Sequence, residues 1–256
     1  MATEKLLSAV QVAKGADLVD ILVKLNDHPR LRHVLEDLVI KNVSKLSQLA
    51  LYRLLHLQVG RKQLNTQLIA VVKKQLASMK LEFKLPQLKN LFYTCASLKI
   101  NDKNLLNAMA ENLDIIVKFE TENVKSNLLQ ILRSCSYLGW VNKVIVDIVR
   151  DKLLSSLFND DITESQRHDI VVYLGKLNLG EDFGDIVKEL VVDLNGLKKS
   201  APSQWLDLVS AQVNLRQPDA ETIAAVLQPD FYRPLLEQYK GRNSSSSLCF
   251  HTFLVV

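Results

Sequence analysis

One helix ending recurs along this chain, and it narrows the possible folds more than any other feature. At residues 93–100 and 132–140 a helical stretch closes on small and apolar residues, and a polar turn and a second amphipathic stretch follow. The same shape stands at residues 172–179, 54–59 and 209–215, and more weakly at 22–25. Aligned on one apolar anchor, the series is Leu25, Leu57, Leu98, Leu138, Leu177 and Val213, in steps of 32, 41, 40, 39 and 36 residues. A fixed period of this size is the signature of a repeat architecture.

The alignment extends beyond the anchor. Two residues before it stand Leu55, Ala96, Ser136, Gly175 and Ala211, mostly small; two after it stand Val59, Ile100, Trp140, Leu179 and Leu215, all apolar. A small residue lets two helix backbones approach closely, and an apolar residue beyond a helix end folds back on the last turn. The second stretches place Leu64, Leu68, Val71, Val72 and Leu76, then Leu105, Met109, Leu113 and Ile116, then Ile186, Leu190 and Leu194, at three-to-four-residue spacing. Each unit is therefore a helical hairpin that cannot bury both faces alone, so stacked neighbours must share a core.

Composition agrees. Eight glycines and six prolines in 256 residues leave little material for tight turns between strands, and the 48% hydrophobic share is only 6% aromatic. The expected fold is all-α: an α-solenoid of octotricopeptide or HEAT-like type, five to six hairpins over residues 1–240, about 36–41 residues per repeat. Leu98 and Leu138 are expected to lie buried between hairpins. Pro86, Thr121-Glu122, Thr163-Glu164-Ser165 and Pro202 mark the starts of first helices. Residues 241–256, Ser-rich and then apolar, fit no repeat register and read as a disordered or non-homologous tail.

No constellation for catalysis emerges. The chain has no GxGxxG, P-loop, HExxH or GxSxG. Its five histidines are dispersed without a third ligand for the His28/His33 pair, so no metal or other cofactor is expected. Cys95 and Cys135 occupy one repeat position, three before the anchor, and read as small core residues rather than reactive thiols. With Cys249 they make an odd number and no CxxC pair, which points to a reducing compartment. Asp182-Phe183-Gly184 imitates the metal-binding triplet of protein kinases, but the glycine-rich loop, the strand lysine and the catalytic-loop Asp and Asn are missing. No enzyme is expected. No apolar run is long enough to span a bilayer, and the first residues lack the character of a signal peptide or a presequence.

Charge points to a partner. Residues 41–90 hold ten bases (Lys41, Lys45, Arg53, Arg61, Lys62, Lys73, Lys74, Lys80, Lys84 and Lys89) against the single acid Glu82. Residues 151–200 hold six bases against ten acids. The basic stretch attracts a polyanion and predicts salt-dependent binding, although Lys-rich helices also serve simply to keep an array in solution. Tyr52, Tyr93 and Arg133, each five before its anchor, are placed either to stack on bases or to pack inside. The candidate RNA-binding residues are Lys45, Arg53, Arg61, Lys62, Lys73, Lys74, Lys80, Lys84, Lys89, Tyr93 and Arg133.

Residues 46–55 and 85–98 resemble helical repeats of the FAST-kinase-domain family, and the resemblance runs over about residues 15–240. It implies RNA binding in the mitochondrial matrix, in transcript stability or processing, and no protein kinase activity despite the family's name. Members carry degenerate octotricopeptide-like repeats and end in a RAP domain. Neither that domain nor a presequence is recognised here, which suggests a truncated isoform or fragment. The alternative reading is a HEAT- or armadillo-type scaffold for protein partners. What separates the two is whether the bases of residues 41–90 share one face of the array.

Overall fold

The hairpins are written by local signals at both ends of each turn. The computed structural model describes residues 15–25, 28–120, 123–154, 163–192, 196–217 and 219–240, and 76% of them are helical, against roughly a third in an average domain. No strand occurs among them. The helices are α1 (Gly15–Lys24), α2 (Pro29–Lys41), α3 (Gln48–His56), α4 (Thr66–Ala77), α5 (Leu85–Ser97), α6 (Lys103–Ile116), α7 (Val124–Leu138) and α8 (Lys143–Ile148). A π-helical stretch, Val149–Leu154, continues α8. Then come α9 (Glu164–Lys176), α10 (Gly180–Val192), α11 (Leu197–Ser200), α12 (Pro202–Asn214), α13 (Ala220–Val226) and α14 (Pro229–Lys240).

Four first helices end in the same motif. Lys99, Gly139, Asn178 and Arg216 adopt left-handed backbone with φ of 53°, 60°, 55° and 56°. The N–H of the next residue returns to a carbonyl five back: Ile100 to Cys95, Trp140 to Cys135, Leu179 to Leu174 and Gln217 to Gln212. The left-handed residue itself donates to Ala96, Ser136, Gly175 or Val213. These paired bonds satisfy carbonyls that a helix end otherwise leaves open and turn the chain back on itself. Three residues beyond three of the four turns an Asx side chain caps the second helix: Asp102 accepts from Asn104 and Leu105, Asn142 from Ile145, and Asp219 from Thr222. In the earlier α3–α4 hairpin Gly60 (φ 80°) is the left-handed residue, and Asn65 caps α4 through Leu68 N–H. The left-handed positions 60, 99, 139, 178 and 216 are thus 39, 40, 39 and 38 residues apart.

This register corrects two expectations. The last anchor is Leu215, fully buried, rather than Val213, which is 40% exposed, because the turn is set by Arg216. Leu98 and Leu138 are half-buried, not buried. They sit at the helix exit, where one side faces the turn. Full burial falls one turn earlier, on Leu54, Cys95, Cys135 and Leu174, and two residues later on Ile100 and Leu179. The Cys95 and Cys135 thiols are fully inside, and burial pushes both up to about 12. They are core residues, as the repeat alignment implies.

The described helices fall into two compact units, Met1–Ser155 and Ser156–Val256. In the first, α1, α3, α5 and α7 neighbour one another in sequence order, and α2, α4, α6 and α8 form a second layer behind them. Leu51, Leu54, Leu55, Leu68, Leu76, Leu88, Leu91, Phe92, Leu105 and Met109 fill the space between. In the second unit α9 packs on α10 and α12, and α12 also meets α11, α13 and α14. Predicted starts hold at Pro86, in the first turn of α5; at Thr163, whose hydroxyl and Gln166 form a capping box; and at Pro202, the first residue of α12. Thr121-Glu122 and residues 241–256 lie outside the described residues. Asp182 falls inside the first turn of α10 rather than at its cap, and Phe183 is buried core.

Gly175 shows what the small residues are for. A Cβ added there meets the Cα and Cβ of Ala211 at 2.6 Å, so α9 and α12 touch backbone to side chain. Gly175→Ala is expected to destabilise the second unit by about 1–3 kcal/mol through overpacking, read as a lower urea midpoint. In the first unit Leu132→Ala, at a fully buried position, should cost about 2–5 kcal/mol. Leu138→Ala should cost clearly less, and equal losses would return the core to the anchor.

Candidate nucleic-acid interface

Because α5 and α7 lie side by side, their outward faces form the walls of a groove of about 840 Å³, within the range of small-molecule sites. From α5 come Lys89, Asn90, Tyr93, Ala96 and Ser97; from the turn come Lys99 and Asn101; from α7 come Gln130, Arg133, Ser134, Tyr137 and Leu138. Among the described residues, three cations and no acid line it. Tyr93 is 53% and Tyr137 62% exposed, so both rings are open to solvent. Arg133 lies 5.7 Å from the Tyr137 ring centroid, a cation–π contact that steadies both side chains. Among the lining residues, the Ser134 hydroxyl donates to the Gln130 carbonyl at 2.9 Å, and Asn101 Nδ2 donates to the Leu138 carbonyl at 3.4 Å. The arrangement joins flat apolar surface, carboxamides and fixed positive charge.

Of the candidates read from sequence, the structure brings Lys89, Tyr93 and Arg133 together here. The others are scattered. Lys74 and Lys80 line a separate hollow between α4 and α6 that also holds Asp102 and Glu111, so its charge is mixed. Lys73 stands 3.5 Å from Asp102, and Lys80 stands 3.8 Å from Glu82. Arg53 is bonded to Asp20. Lys45, Lys62 and Lys84 are exposed in connections rather than on the groove. The basic stretch is divided between two helix layers because its 50 residues run through both α3–α5 and α4. Tyr52 is half-buried and edge-on to Phe83 at 6.1 Å, so it packs rather than projects. Lys99, Gln130 and Tyr137 are groove residues that sequence analysis did not select. The signal for Tyr137 was its repeat position, one residue before the anchor, on an exposed rather than a core face.

Arg61 stands apart. Its side chain is 8% exposed and meets Glu36, 1% exposed, at 2.6 Å, while Asn65 Nδ2 donates to the other Glu36 oxygen at 2.8 Å. Burial alone would push the Glu36 carboxyl up. The hydrogen bonds from Asn65 and Arg61 and the Arg61 charge outweigh it and hold the group below its ordinary value of 4.5. This network ties α2 to the α3–α4 turn, so Arg61 is a structural residue. Its contribution is complete above the ordinary carboxylate range and is lost as pH falls through the lowered pKa. Glu36→Gln should destabilise by about 3–5 kcal/mol at pH 7 by removing the buried carboxylate charge that faces Arg61 at 2.6 Å. It should also flatten the fall in stability below about pH 4.5; an acid limb unchanged from wild type would assign that fall to other carboxylates.

No family model matches this chain, and no curated protein or solved structure matches it. Among the described residues no helix is long and apolar enough to cross a membrane, and no group of three or more His, Cys, Asp or Glu could hold a metal ion.

Proposed function

We propose that this chain is an RNA-binding helical-repeat protein and that the α5–α7 groove is its principal contact. The observation that carries the reading is the groove's charge: Lys89, Lys99 and Arg133, with no acid among the described lining residues. Such a surface favours a polyanion over an average polypeptide, and neutralising phosphates releases counterions. A role in mitochondrial RNA stability or processing follows from the resemblance of residues 46–55 and 85–98 to the FAST-kinase-domain family. It rests on that resemblance alone. The bases outside the groove add a diffuse attraction rather than a second site.

The test is a filter-binding titration of single-stranded RNA over a salt range. Lys89→Glu and Arg133→Glu should each weaken binding and lower the slope of log affinity against log salt by roughly 0.7 for every phosphate no longer neutralised. Lys62→Glu, in the α3–α4 connection, should change affinity far less. If the groove variants bind like wild type while circular dichroism shows intact helices, the groove is not where RNA binds, and a protein-binding scaffold becomes the better reading.

A further inference from the structure

The same groove holds more than positive charge, and its other parts narrow what it takes. Tyr93 and Tyr137, on the neighbouring helices α5 and α7, present their rings to solvent, whereas Phe83 and Phe92 of the same unit are buried in the core. Gln130, exposed on α7 two helical turns before Tyr137, offers a carboxamide donor and acceptor. Lys99 occupies the left-handed turn residue, with φ of 53°, where the next hairpin has Gly139. A side chain there is strained, since only glycine adopts that conformation without steric cost. Asn178 and Arg216 carry the same strain in their own turns; Lys99 is the left-handed residue whose side chain also lines this groove.

We infer that the α5–α7 groove is a seat for an unpaired nucleotide, with a base stacked on the Tyr93 and Tyr137 rings and the adjoining phosphate held by Lys99 beside Arg133. The inference rests on the RNA reading above and specifies it. A base within a duplex has both faces covered by its neighbours, so the groove selects single strands. A carboxamide can pair with any base edge by rotating, so Gln130 adds affinity without strong preference for one base. Arg133 has two roles in this geometry: it steadies the Tyr137 ring and it faces the phosphate.

The experiment uses the full chain and three probes: a single-stranded RNA oligonucleotide, the same strand with abasic positions, and its duplex. Wild type should bind the single strand well above the other two. Tyr93→Ala and Tyr137→Ala, both at exposed positions, should each weaken the single strand by roughly five- to a hundredfold with the salt slope unchanged. Neither should alter binding of the abasic strand. Lys99→Gly should lower the salt slope by roughly 0.7 while raising the melting temperature by about 2 °C, because it removes a phosphate ligand and a strained turn together. Weaker binding with greater stability separates a binding role from a structural one. Salt-dependent binding that weakens in Lys89→Glu but is indifferent to both tyrosines would overturn the nucleotide seat and leave the electrostatic reading standing. Absence of single-strand binding by wild type would overturn both.

Discussion

The fold depends on the left-handed residues that end α5, α7, α9 and α12. A helix exit leaves carbonyls without partners, and the paired return bonds at Lys99, Gly139, Asn178 and Arg216 satisfy some of them while reversing the chain. The reversal sets where the second helix starts, and Asp102, Asn142 and Asp219 cap that start from three residues beyond the turn. With the turn geometry held constant, successive first helices fall beside one another and successive second helices line up behind them within the first unit. A turn one residue longer would rotate the following helix by about 100° and carry its apolar stripe out of the core.

The groove is a by-product of that arrangement. Two first helices packed side by side bury their facing stripes, with Leu91, Phe92, Leu132 and Cys135 fully inside, and leave a furrow above the contact. Whatever side chains stand on the two outward faces must then meet across it. Here they are basic, aromatic and carboxamide-bearing, and an anionic, flat-faced occupant fits that chemistry. The second unit uses the same packing with a different surface. Gly175 brings α9 against Ala211 of α12, and Asp169 and Asp207 stand at the helix positions that correspond to Asn90 and Gln130.

Net charge and local charge density are poor guides to a charged face in such a molecule. Ten bases within fifty residues suggest one positive surface, but a hairpin sends consecutive segments into two layers. Arg61 turns inward to Glu36, Arg53 meets Asp20, and Lys73 meets Asp102. Only Lys89 of that stretch reaches the groove, where it joins Arg133 and Lys99 from outside the stretch.

The all-helical class, the hairpin period and most helix boundaries were legible in the residues themselves. Caps, prolines and turn residues act within about one helical turn, so their effect is encoded next to where it is felt, as at Thr163, Pro202 and Asp102. The anchor alignment erred where local apolarity was ambiguous: Val213 and Leu215 both fit, and only the backbone conformation of Arg216 distinguishes them. The depth of burial at Leu98 and Leu138 was likewise hidden, since the alignment marks the helix exit and says nothing of which side faces the neighbour. The tertiary structure alone decided that Tyr93 and Tyr137 share one groove and that Tyr52 does not. Those contacts join residues some forty positions apart, and their geometry follows from helix packing rather than from any neighbour in the chain.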